Sequence, residues 1–238
     1  MATDAKTRSK TRPRQVATTV IDEPLPLIYD RSSMPPEFMV TIPGQTEDDF
    51  FQYAPEKRFC ELIDGIVYMP SPVDTLHQEI TQFFYYVLER FSEDREWGRV
   101  FTGPAVLKLR NGRLVEPDVF VMPPGSSDRV RKNDSIGPAA LIIEVFSSSN
   151  RNHDLILKSQ LYRDEGIPEA WFVDSRDQVV VVERTQAGRS RKHRFESGLL
   201  ECSAIPGFWI DVSWPWSDPL PKKSTCYRKI TRGTKPRP

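Results

Sequence analysis

The sequence predicts a mixed α/β (α+β) fold in which a mixed central β-sheet is flanked by helices. Three observations predict it. Two pairs of short strand patterns meet at Asp64-Gly65 and at Asn111-Gly112, dipeptides that favour the type I′ turn of a hairpin. Residues 74–91 repeat apolar side chains at intervals of three and four, which marks a helix with one buried face. Residues 139–146 (AALIIEVF) form a short β-branched run bounded by Pro138 and Ser147, the pattern of a strand buried on both sides.

The 238 residues suit one domain of ~150–200 residues with appendages. With 38% hydrophobic and 28% charged residues a sizeable core is affordable, and collagen-like, coiled-coil and wholly disordered chains are excluded. No apolar run approaches the ~20 residues that span a bilayer, and residues 1–14 lack the apolar stretch of a secretory signal. Cys60, Cys202 and Cys226 are far apart and form no CxxC pair, which argues for a reducing compartment and against structural zinc. The chain therefore reads as a soluble cytoplasmic protein without a membrane partner.

Its net charge of zero conceals polarity. Residues 1–20 carry five basic residues and one acid, and residues 219–238 carry seven basic residues and no acid. Between them lie 21 basic and 32 acidic residues, a net of −11. Basic tails on an acidic body can hold phosphate backbones, or can simply be solvated ends. Residues 1–35, rich in Lys, Arg, Thr and Pro, read as a disordered tail, residues 36–213 as the domain, and residues 214–238 as a second basic tail rich in Pro and Lys.

Within the domain, residues 46–53 suggest a short helix capped by Thr46, with acids in its first turn. The first hairpin comes next. Asp74 then caps the clearest helix, whose predicted apolar face is Leu76, Ile80, Phe83, Phe84, Val87, Leu88 and Phe91, and which carries His77 in its first turn. AVLKL and LVEPDVFVM make the second hairpin. After the buried run at 139–146 a helix covers about 152–165 and stops at Gly166. Strands at 170–174 and 178–183, and weaker ones at 191–195, 199–202 and 209–212, complete the order.

Two carboxylates stand where a core should hold none. Asp118 leads into VFVM, and Glu144 lies inside AALIIEVF. A buried isolated carboxylate is costly, so each requires a cation, a hydrogen-bond network or a raised pKa. On neighbouring strands the pair could converge on one hard divalent ion, with the backbone carbonyl of Val145 as a further ligand. An Arg or Lys partner, or a place at the sheet edge, would also account for them. In the next helix Asp154, Lys158 and Tyr162 recur every four residues. Lys158 could stabilise charge developing on phosphorus, or could form an exposed Asp–Lys pair of ~0.3–0.5 kcal/mol.

Pro117-Asp118 and then Glu144-Val145-Phe146 resemble the split carboxylate motif of the PD-(D/E)XK nuclease superfamily. More closely, the chain resembles the Uma-type family of restriction-endonuclease-like proteins. The stretches that carry this are CELIDGIVYMPSP, His77 at a helix start, VEPDVFVM, IIEVFSSSNRNHDLILKSQLYRDEGIPEAWFVDS and IPGFWIDV. In that order they cover roughly residues 45–213. The resemblance implies a restriction-endonuclease-like core, a Mg²⁺ (or Mn²⁺) site built on Asp118 and Glu144, and Lys158 as a displaced catalytic lysine. It further implies auxiliary roles for Glu61 as an additional ligand, for His77 as a water or phosphate contact, and for Tyr162 one turn after the lysine. The superfamily's lysine two residues after the glutamate is here Phe146, and the family's usual Ser-Pro-Ser-Thr is Ser-Ser-Ser-Asn at 147–150.

Three function classes compete. The first is a metal-dependent endonuclease hydrolysing DNA phosphodiesters. The second is an inactive nuclease fold that binds nucleic acid, which Phe146 favours and the intact Asp118, Glu144 and Lys158 oppose. The third, a serine hydrolase, is rejected because no GxSxG elbow exists. Against a −11 body, Arg129, Arg131, Lys132 and Arg151 could line a local basic face toward DNA. Double-strand cleavage needs two active sites, which a homodimer could supply.

Overall fold

The computed structural model describes residues 39–53, 59–70, 72–146 and 151–232. Two six-stranded sheets and a two-stranded ribbon are combined with four helices among the described residues. The first sheet has the order β1-β3-β2-β6-β5-β8, built from β1 (Met39–Pro43), β2 (Glu61–Ile63), β3 (Ile66–Pro70), β5 (Leu107–Lys108), β6 (Leu114–Val115) and β8 (Ser135–Ile136). The second has the order β12-β11-β10-β9-β7-β4, built from β4 (Arg99–Thr102), β7 (Val119–Met122), β9 (Leu141–Phe146), β10 (Glu169–Asp174), β11 (Val179–Gln186) and β12 (Arg189–Phe195). β13 (Leu199–Glu201) and β14 (Trp209–Asp211) pair separately. The helices are α1 (Glu47–Tyr53), α2 (Thr75–Arg95), α3 (Arg151–Asp164) and α4 (Lys223–Thr231).

Both hairpins form as the dipeptides dictate, with Asp64, Gly65, Asn111 and Gly112 all at positive φ. The stretch LVEPDVFVM, however, is two strands in two sheets. Pro117 has no N–H for a ladder, so β6 ends before it in the first sheet and β7 begins after it in the second. Asp118 is thereby set at a crossing between the sheets. β9, read from sequence as a buried strand, lies between antiparallel β7 and parallel β10, and all six of its residues are buried. α3 is the crossover that a parallel β9–β10 pair requires.

α2 runs one turn beyond the predicted helix. Asp74 caps it by accepting the His77 amide at 2.7 Å. Ile80, Phe83, Phe84, Val87, Leu88 and Phe91 are buried against the second sheet, each contributing ~1.5–3 kcal/mol of burial, whereas Leu76 is exposed and lies outside that face. A Cβ on Gly98 (φ +84°) would stand 2.1 Å from the Met122 carbonyl oxygen, so only glycine lets the chain turn from α2 into β4 alongside β7.

The sequence reading of 214–238 as a tail is corrected over 214–232. Trp214–Trp216 form a 3₁₀ turn and α4 comes after it, with Trp214, Cys226 and Ile230 buried in the core that α2 shares. Two apolar residues four apart on a basic helix suffice to seat it. The predicted N-terminal tail (1–35) and residues 233–238 lie outside the described residues. The three cysteines are free and buried, and no helix among the described residues is long and apolar enough to cross a membrane.

Candidate active site

The β7–β9 register pairs Val119 with Ile143, so the next position sets Asp118 beside Glu144. The backbone amide of Val145 donates to Asp118 Oδ2 at 2.7 Å, fixing that carboxylate against β9. His77 Nε2, from the first turn of α2, lies 3.2 Å from the same oxygen. A hydrogen bond to the Val145 backbone also touches this imidazole. Burial lowers the His77 pKa, but the Asp118 carboxylate outweighs it and the net shift is upward. Nδ1 of His77 is buried with no hydrogen-bond partner among the described residues.

Lys158 reaches the centre from α3. Its Nζ lies 3.0 Å from Glu144 Oε1 and 3.0 Å from Glu61 Oε1. One turn later the Tyr162 hydroxyl donates a short hydrogen bond to Glu144 Oε1. Lys158 and Tyr162 therefore grip the same carboxylate oxygen from successive turns of one helix. Asp118, Glu144, Lys158, Glu61, His77 and Tyr162, all singled out from the sequence, are buried and are brought together. Asp154, the third member of the predicted helical row, has a side chain outside the described residues, as do the serines at 147–149.

Glu116 was missed by sequence reading. It is buried, its Oε2 accepts the Cys60 amide at 3.0 Å, and its own amide donates to Glu61 Oε1 at 3.1 Å. The two carboxylates thus each accept a backbone amide across the start of β2 and the end of β6. An acid within an apolar stretch of sequence is the signal that singled out Glu144, and Glu116 shares it in LVEPDVFVM, two residues before Asp118. Burial pushes the Glu116 carboxyl up to about 8, with the neighbouring Glu61 charge adding to the rise. Burial likewise drives Glu144 upward, opposed by Lys158 and reinforced by Asp118 and Glu61.

Glu61, Glu116, Asp118 and Glu144 share a buried space with one lysine and one imidazole, a crowding of acids that retained protons or a bound cation would relieve. No three His, Cys, Asp or Glu side chains among the described residues form a complete metal cage. Asp118 and Glu144 are two hard carboxylate donors on neighbouring strands, a chemistry that could hold an ion such as Mg²⁺ that keeps much of its water. Phe146, where the superfamily has lysine, is stacked on Phe172 at 5.8 Å and belongs to the core. Of the expected basic face, Arg129 donates to the Ile136 and Pro138 carbonyls and Arg131 pairs with Asp134. Lys132 is exposed, and the Arg151 side chain lies outside the described residues.

Comparison with known proteins agrees with this architecture. A family described as "Uma2: Putative restriction endonuclease" matches residues 47–213. A solved structure from Anabaena variabilis, titled a putative nuclease belonging to DUF820, superposes with a TM-score of 0.61 at 16% identity, covering 72% of this chain and 97% of that one. No curated protein matches the chain.

Proposed function

Since the chain belongs to the Uma2 family, described as "Putative restriction endonuclease", we propose that it is a metal-dependent endonuclease hydrolysing phosphodiester bonds of DNA. One observation carries this reading: Lys158 Nζ stands 3.0 Å from Glu144 Oε1, so a lysine from α3 occupies the neighbourhood that Phe146 leaves without one. Asp118 and Glu144 would hold the Mg²⁺. The chemistry a bound Mg²⁺ supplies is Lewis-acid polarisation of a phosphoryl oxygen and a lowered pKa for a bound water. Lys158 offers its ammonium donors to charge developing on the non-bridging oxygens. Glu61 and Tyr162 set the lysine and Glu144 in place, and His77 holds Asp118 and would contact a water or phosphate. Two copies of the chain would serve double-strand cleavage.

The test is incubation of the purified protein with plasmid and single-stranded DNA in Mg²⁺, Mn²⁺ or EDTA, beside Asp118→Ala, Glu144→Ala and Lys158→Ala. Metal-dependent nicking that all three folded variants lack supports the reading. DNA retained in a gel shift but cut under no metal replaces it with the second reading, an inactive nuclease fold that binds nucleic acid, which Phe146 in the core favours.

A further inference from the structure

β12 is the outer edge of the second sheet and reads RSRKHRF. Arg189, Arg191, Lys192, His193 and Arg194 are all exposed, and the strand contains no acid. Strand alternation sets Lys192 and Arg194 on one face and Arg189, Arg191 and His193 on the other. On the first face the ladder runs from Glu144 to Phe172, from Phe172 to Val181, and from Val181 to Arg194. Arg194 therefore stands in the same transverse row as Glu144, three strand spacings or about 14 Å away.

The charge there is poorly offset. Lys192 lies 3.9 Å from Glu183, a carboxylate that already accepts from Ser159, Ser190 and Arg163. Arg194 pairs with Glu196, whose side chain is 70% exposed. Arg189, Arg191 and His193 make no ion pair among the described residues. Charged side chains on an edge strand also deter unwanted strand pairing. Beyond that role, β12 concentrates four Lys or Arg side chains and one His within seven residues of an otherwise acidic body.

We infer that β12 is a phosphate-binding rail for double-stranded DNA, tracking the backbone about four nucleotides from the position opposite Glu144, since a strand presents one phosphate per ~3.4 Å of axis. The assignment rests on the nuclease reading for the location of the reacting phosphate, while the binding itself does not require cleavage.

The experiment measures fluorescence anisotropy of a labelled 24-base-pair duplex with the full chain in EDTA, so that binding is read without chemistry, across a salt series. The expected result for Arg191→Gln/Lys192→Gln/Arg194→Gln is affinity weakened about 10- to 100-fold at 100 mM salt, with the slope of log K against log salt reduced by roughly 2–3. Arg194→Gln alone should reduce the slope by about 1. A control triple on α4, Arg228→Gln/Lys229→Gln/Arg232→Gln, should leave it unchanged. The rail is overturned by an unchanged slope in the β12 triple, by loss in the α4 triple instead, or by a wild-type chain that binds no duplex. A β12 triple that self-associates while keeping its DNA slope would mark the strand as an edge guard and also overturn it. Binding with the expected slopes but no cleavage under any metal would leave the rail standing and sink the nuclease reading, whereas cleavage with unchanged slopes would do the reverse.

Discussion

Lys158 and Glu144 are fourteen residues apart in the chain, yet Nζ and Oε1 are 3.0 Å apart in the fold. The contact exists because β9 leads into a crossover helix that must return over the sheet to reach β10. A lysine two turns into that helix consequently faces the strand it has just left.

Lys158→Met should reduce DNA cleavage by about 10²–10³-fold, the loss expected when a preorganised donor to developing charge is removed. Phe146→Leu should change cleavage little and lower stability by about 1–2 kcal/mol, because that ring packs on Phe172. Nicking rates beside denaturant melts separate the two effects. Equal activity losses in both would count against Lys158 as the acting lysine.

Metal binding is open to measurement without substrate. Mg²⁺ or Mn²⁺ at 100 times its Kd should stabilise the wild-type chain by about 2.7 kcal/mol. Asp118→Asn and Glu144→Gln should respond far less, as read by melting temperature with and without EDTA. A full response in both variants would move the metal elsewhere.

The pH dependence of stability stems from the raised carboxyl of Glu116, with Glu144 shifted the same way. Unfolded, Glu116 loses its proton near 4.5; folded, it keeps the proton until about 8. Across that window the folded state binds more protons, so the metal-free protein should lose stability as pH rises from about 4.5 to about 8. Urea melts at pH 5, 6.5 and 8 test the sign, and Glu116→Gln should flatten the curve. A steeper curve in that variant would contradict the assignment.

Truncation tests whether the C-terminal helix belongs to the folded domain. Ending the chain after Val212 removes Trp214, Cys226 and Ile230 from the core and should lower the melting temperature markedly. Ending it after Arg232 should leave the melt unchanged. Thermal scans of the two chains decide this, and equal melts would show that α4 adds nothing to the core.

Much of the site was legible because buried charge violates an apolar pattern. Asp118 and Glu144 were visible in that way, and Lys158 and Tyr162 by helical spacing from the strand that bears Glu144. Glu116 was hidden by its neighbours: VEPD reads as one motif, although Pro117 splits it between two sheets. β1 and β4 escaped because each is an edge strand, and residues 40–43 of β1 are all exposed. Edge pairing is set by the partner strand more than by local propensity. α4 escaped for a related reason, since Cys226 and Ile230 are only two apolar positions among lysines and prolines.

The position of Lys158 between Glu61 and Glu144 has a consequence for how the molecule fails. Glu61 belongs to the first sheet and Glu144 to the second, and Lys158 touches both. The candidate centre is thus a seam, and parting of the sheets would break it before either sheet lost its own ladder. Damage in the hairpin of β2 and β3, remote in sequence from Asp118 and Glu144, would then be felt as lost activity while most backbone amides stayed protected from exchange.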